Sequence, residues 1–228
     1  MAVVEIEDLH KTYITGSEKV HVLKGLNLKV EQGRMIMVMG PSGSGKTTLL
    51  NLIGGIDTDY SGKITVDGTD LKKLDAKRLS LYRREKVGFI FQFYNLIPTL
   101  TALENVELCM EALKMTKEEI RSRATEFLDL VGLSEKANGF PQELSAGEQQ
   151  RVAIARALAK HPTIILADEP TGNLDEDREK NVMGIMRNLS RELGMTFIIV
   201  SHNPRLKKFV DQTLYLRHGV LHEKESEE

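Results

Sequence analysis

Two short stretches carry residue types suited to phosphate chemistry. The first is Gly40-Pro-Ser-Gly-Ser-Gly-Lys-Thr-Thr48, with the spacing glycine, four residues, glycine, lysine, hydroxyl residue. Glycines at 40, 43 and 45 let the backbone curl until several N–H groups point inward. A helix starting behind such a loop adds partial positive charge at its N-terminus. Lys46 sets a full charge near the outer phosphates, and the Thr47 hydroxyl suits a magnesium ion. The second stretch is Ile164-Ile-Leu-Ala-Asp168-Glu169, an apolar run ending in two carboxylates. At the carboxyl edge of a parallel sheet such residues face the ligand crevice. Asp168 is then placed to hold magnesium, directly or through water. Glu169 points differently and can polarise a water for attack on a terminal phosphate.

Those residues need strands to aim them. Met35–Met39, Val87–Phe91, Ile164–Ala167 and Thr196–Val200 are apolar throughout, which predicts strands buried on both faces of a parallel sheet covered by helices. Lys46–Ile53, Asp75–Arg84 and Asp177–Leu193 are the candidate covering helices. Val4 and Ile6, then Leu26, Leu28 and Val30, alternate with polar residues, as half-exposed antiparallel strands do. Residues 16–19 between them read as a turn or loop, and Lys63–Val66 as a further short strand. Between Thr101 and Lys160 the pattern changes. Leu103, Val106, Met110 and Leu113 form one stripe at helical spacing, Ile120, Ala124, Phe127, Leu128 and Val131 a second, and Val152, Ala155, Leu158 and Ala159 a third. A helical subdomain therefore interrupts the strand–helix alternation.

Composition narrows the function classes. The chain has 228 residues, with 31 basic against 33 acidic, so a general polyanion binder is not expected and no nucleic-acid partner is assigned. The single cysteine, Cys109, allows no internal disulfide and fits a reducing compartment. The N-terminus carries no signal-peptide pattern, and no apolar run approaches the roughly 20 residues that cross a bilayer. The expectation is a soluble chain that meets a membrane only through partners, with a charged tail at 223–228.

Further motifs sit between and around these two. Leu144-Ser-Ala-Gly-Glu-Gln149 precedes Gln150-Arg-Val-Ala-Ile-Ala-Arg-Ala-Leu158; Gln92 follows Val87–Phe91; Gly172-Asn-Leu-Asp175 follows the carboxylates; His202 follows Ile198-Ile-Val-Ser201; Tyr13 closes Lys-Thr-Tyr. In this order they resemble the signature motif, Q-loop, D-loop, switch histidine and adenine-stacking aromatic of ATP-binding cassette (ABC) ATPases, and the resemblance covers essentially the whole chain. It implies one ABC ATP-binding domain over 1–228 with a P-loop NTPase (RecA-like) α/β core and mostly parallel sheet. An N-terminal antiparallel β subdomain would occupy about 1–34 and 60–70, and an inserted α-helical subdomain about 95–160.

The resemblance also implies ATP and Mg²⁺ as ligands. ATP contacts fall on Tyr13, Gly40, Ser42, Gly43, Ser44, Gly45, Lys46, Thr47, Thr48, Gln92 and His202. Catalytic roles fall on Glu169, His202, Lys46 and Gln92, and Mg²⁺ on Thr47, Gln92 and Asp168. Ser145, Ala146, Gly147, Glu148 and Asp175 would serve the ATP of an opposite subunit in a head-to-tail homodimer. Ala146 and Glu148 depart from the usual glycine and glutamine; Ser145 and Gly147 remain. Phe91–Val106 and Pro170–Asp175 are similar to the macrolide-export and lipoprotein-release branch (MacB-like and LolD-like). There a segment like Phe93–Ile97 receives a transmembrane permease subunit, which would place this chain in the cytoplasm, peripheral on the inner face of the cell membrane. The alternative is a soluble ABC-type ATPase not tied to transport, a DNA-repair head or assembly ATPase.

Overall fold

The apolar runs become neighbouring strands because each has two hydrophobic faces to bury. In a computed structural model describing residues 1–16 and 18–224, β3 (Met35–Met39), β6 (Val87–Ile90), β7 (Ile164–Asp168), β8 (Thr196–Ser201), β9 (Gln212–Arg217) and β10 (Val220–His222) form one sheet, ordered β10-β9-β3-β8-β7-β6. All its pairs are parallel except β9 with β10. Side chains alternate between two cores. Met35, Met37, Ile165, Ala167, Phe197 and Ile199 enter one, and Ile36, Val38, Ile164, Leu166, Ile198 and Val200 enter the other. Period-two geometry combined with burial on both sides produces an unbroken apolar run.

The second core is closed by an antiparallel sheet, ordered β2-β1-β4-β5, from β1 (Ala2–Thr15), β2 (Glu18–Glu31), β4 (Ser61–Val66) and β5 (Thr69–Asp70). Its alternating residues Val4, Ile6, Leu26, Leu28 and Val30 point inward, against α1 (Lys46–Ile53) and the parallel sheet. The first core is shared with α3 (Ala102–Glu107), α4 (Lys117–Leu130), α5 (Ala146–Leu158) and α6 (Glu176–Leu193). α2 (Ala76–Lys86) leads into β6.

Helices α3, α4 and α5 begin alike. Thr101, Thr116 and Ser145 cap them, each paired with a glutamate three residues on, so two backbone donors are satisfied at each start. The first helical stripe is shorter than its spacing predicts. α3 stops at Glu107 and the chain continues in hydrogen-bonded turns, Met110 N–H to Glu107 O and Leu113 N–H to Met110 O. Met110 is nonetheless fully buried. Its spacing reports burial, which turns satisfy as well as helix does. Of the turn or loop expected over 16–19, Glu18 and Lys19 already belong to β2. Ser17 lies outside the described residues, as does the part of the charged tail at 225–228.

Candidate functional site

The parallel register delivers the site to one edge. β3, β7 and β8 are adjacent, so the Gly40–Gly45 loop, Asp168–Glu169 and Ser201–His202 all leave the sheet at its carboxyl end. A cavity of about 710 Å³ opens there, lined by Pro41, Ser42, Gly43, Gly45, Lys46, Thr47, Thr48, Gln92, Asp168, Glu169 and His202, with Val22. Twelve residues widely spread in sequence thus meet at one surface, and ten of them are site residues expected from the sequence.

The loop geometry is dictated by glycine at two places. Gly45 caps α1 with φ +100, a left-handed conformation that L side chains rarely adopt. A Cβ at Gly40 would collide with the Leu216 carbonyl and crowd Ser44 Oγ. Lys46 is 8% exposed, and its Nζ donates to Gly40 O and Pro41 O, both at 2.8 Å. Burial pulls its pKa down, opposed by the negative charge of Glu169 and Asp168. The ammonium is held inside the curl by carbonyls alone.

Asp168 carries the complementary strain. Burial pushes its carboxyl above the usual carboxylate range, and the charge of Glu169 adds to this; the Thr47 hydroxyl hydrogen bond and Lys46 oppose it. A half-buried carboxylate touching a hydroxyl, with its negative charge only partly compensated, is a hard-oxygen donor set fitting Mg²⁺. Among the described residues no group of three or more His, Cys, Asp or Glu could hold a metal by itself. The ion would therefore be shared with phosphate oxygens, as Mg²⁺ with few protein ligands is.

Glu169 is fixed more tightly than its position next to Pro170 suggests. Its backbone is left-handed, φ +45, and its N–H donates to Val200 O. One carboxylate oxygen accepts from Ser201 Oγ at 2.8 Å. The other accepts from the His202 N–H at 3.1 Å and lies 2.8 Å from His202 Nδ1. His202 is itself largely exposed toward the cavity, its side chain at 70%. Ser201, absent from the expected set, thus holds the Glu169 carboxylate. Its adjacency to His202 was the available signal, but its partner is 32 residues away. Behind it, Asn203 N–H donates to Ser201 Oγ, and the Asn203 amide meets the buried carboxylate of Glu179 on α6.

Gln92 follows β6, with its backbone carbonyl bound by Asn173 Nδ2 at 3.0 Å. The next segment is held open. Arg156 on α5 donates to Tyr94 O at 2.7 Å and Asn95 O at 2.6 Å, and Asn105 pins Ile97 through its N–H and carbonyl. Phe93, 70% exposed, and Ile97, 37% exposed, face outward.

Three expected groups stand apart from this cavity. Ser145, Gly147 and Glu148 line a separate cavity of about 320 Å³ with Asp177, Arg178 and Asn181, and it shares no residue with the first. Ser145 is exposed, and its N–H and Oγ are closed into a capping box with Glu148 (Ser145 N–H to Glu148 Oε2, 2.8 Å). Those hydrogen bonds hold the Glu148 carboxyl below its ordinary range. Glutamate at 148 thus has a local role as a cap partner. Ala146, half-buried, is the first residue of α5. Asp175 caps α6 and pairs with Arg178 at 3.2 Å. Tyr13 lines neither cavity. It lies on β1 opposite Val20, which lines a third cavity of about 590 Å³; this one shares Val22, Pro41, Ser42 and Gly43 with the phosphate cavity and is also lined by Ser44.

Residues 23–172 match the ABC transporter family. The chain belongs to that family. It is 44% identical over 226 residues to MJ0796, an ABC transporter ATP-binding protein of Methanocaldococcus jannaschii, covering 97% of this chain and 96% of that one. It is 42% identical over 216 residues to the lipoprotein-releasing system ATP-binding protein LolD of Bacteroides fragilis, covering 95% and 98%. The solved dimeric structure of MJ0796 in a post-hydrolysis state bound to ADP and Pi superposes with a TM-score of 0.86 at 44% identity, over 96% of both chains. This ABC protein is an ATP-binding and ATP-hydrolysing transporter subunit that works with Mg²⁺. The expected P-loop NTPase architecture is found. The family decides for a transport cassette over a DNA-repair head or assembly ATPase. Among the described residues no helix is long and apolar enough to cross a membrane.

Proposed function

We propose that two copies of this chain close head to tail on ATP, each nucleotide lying between one copy's Lys46 loop and the other's Ser145 helix. The supporting observation is the separation of the two cavities within one chain. The signature surface has a capped, outward-facing helix start suited to an anion and no phosphate site of its own to serve.

Within each site the loop amides and Lys46 balance charge on the transferred phosphoryl group. Lys46 exchanges its two carbonyl partners for phosphate oxygens. Glu169, oriented by Ser201 and His202, accepts the proton of the attacking water, and His202 donates to the terminal phosphate. Thr47, Asp168 and Gln92 would hold Mg²⁺, which when bound supplies a Lewis acid neutralising phosphate charge. Tyr13 offers a flat face to the adenine.

Closure and reopening drive membrane subunits of the lipoprotein-release type. They dock at Phe93–Ile97, apolar side chains on a loop braced by Arg156. On this proposal the chain works in the cytoplasm, on the inner face of the membrane. The experiment is sedimentation of Glu169→Gln with and without ATP. Its mass doubles with ATP on this reading; a monomer across a broad concentration range overturns it.

A further inference from the structure

Tyr13 is held by machinery that the phosphate chemistry does not use. Lys11, two residues before it, is 3% exposed although it carries a full charge. Its ammonium lies 2.9 Å from Asp57 Oδ2 and donates to Asp57 Oδ1 at 3.0 Å and to Asp59 O at 2.6 Å. The Tyr13 hydroxyl donates to the same Asp57 carboxylate at 3.1 Å. The Lys11 ammonium also sits 4.6 Å from the centroid of the Tyr13 ring. One carboxylate thus collects both groups, fixing the hydroxyl at one end of the ring and a cation over one of its faces. Asp57 and Asp59 stand just beyond α1, the helix that begins at Lys46, so the arrangement also ties the β1–β2 hairpin to the phosphate loop's own helix.

A buried cation kept this close to an exposed aromatic has a consequence for stacking. The capped face is closed to any ligand, leaving one free face on a ring that is 38% exposed. With its tilt fixed, the ring loses little freedom when a base lands on it. The cation draws electron density from the ring, so an electron-rich purine meets a less negative face. Val20, opposite Tyr13 in the strand register, directs its side chain to the same side of the sheet, where the third cavity runs into the phosphate cavity.

We propose that Lys11, through Asp57, is a positioning residue that sets the preference of this ATPase for a purine nucleotide over a base-less triphosphate. The proposal rests on Tyr13 being the base-stacking residue. The test compares two ligands in one ATPase assay: the KM for ATP, and the inhibition constant of inorganic tripolyphosphate, which engages the phosphate loop alone. Lys11→Met raises the KM for ATP about three- to tenfold, a range set by cation–π energies. It leaves the tripolyphosphate constant within about twofold, and Lys11→Arg recovers most of the ATP affinity. Asp57→Asn, which keeps side-chain size while weakening both anchors, shows the same selective loss and serves if Lys11→Met does not fold. An equal loss for both ligands, or no change for either, overturns the proposal. Tyr13→Ala separates the two ideas. If it loses ATP affinity selectively while Lys11→Met and Asp57→Asn do not, the stacking role stands and the Lys11 role falls. If Tyr13→Ala shows no selective loss, both fall together.

Discussion

On the proposed reading the carboxyl edge of the parallel sheet and the start of α5 both serve phosphate, yet they are finished to different degrees. At the sheet edge, Lys46 is buried, Asp168 and Glu169 are half-buried, and the charges of Lys46 and Asp168 are perturbed. Burial lowers the Lys46 pKa and raises that of Asp168, and Glu169 accepts three protein contacts. At the helix start nothing is strained. Ser145 and Glu148 satisfy each other, and Ser145 is exposed. The difference teaches that the first surface stores unfavourable electrostatics, which under the proposal a ligand relieves, while the second is a relaxed helix end that the proposal assigns to another molecule's phosphate.

That contrast can be broken from either side. The largest effect belongs to Lys46. Lys46→Ala removes the buried cation of the cradle, and turnover in a phosphate-release assay falls by at least about a hundredfold. Turnover near that of the wild type would show that the cradle does not depend on stored charge. Next is the helix start. Ala146→Glu adds an anion at a position where the helix dipole tolerates it, so folding is preserved while an incoming phosphate is repelled. Turnover falls by about tenfold or more with Tm unchanged; unchanged turnover would mean that no phosphate approaches α5.

A smaller effect tests how the sheet edge is held. Ser201→Ala removes one hydrogen bond to Glu169 and lowers kcat about tenfold with KM little changed. The reverse split would make Ser201 a binding residue. Smallest is a stability effect of opposite sign. The Asp168 pKa is raised in the fold, so its ionised form costs stability at neutral pH, and that cost fades as pH falls through the raised value. Asp168→Asn therefore raises the Tm of the nucleotide-free protein by about a few degrees at pH 7, and the gap narrows on acidification. A lower Tm at pH 7 would contradict the stored-charge account.

Legibility in the sequence follows the same division. The glycine loop, Lys46 and Thr47 were readable because their geometry is local, a strand, a turn and a helix running from Met35 to Ile53, and the Asp168–Glu169 pair because it closes one apolar strand. The two-cored sheet was readable because burial on both faces leaves unbroken apolar runs such as Met35–Met39. What escaped depends on register. Ser201 reaches Glu169 only because Asp168 pairs with Val200 across β7 and β8. Lys11 reaches Asp57 across 46 residues of chain. The end of α3 at Glu107 escaped for another reason, since Met110 continues the apolar spacing while the backbone has left the helix.

The central claim is that the two surfaces meet only between copies. It is tested most directly by the ATP-dependent mass of the Glu169→Gln protein with and without the added Ala146→Glu change. The account predicts that Glu169→Gln doubles in mass with ATP, and that the double variant still binds ATP within about twofold yet stays monomeric. A double variant that dimerises on ATP as readily as Glu169→Gln would contradict it.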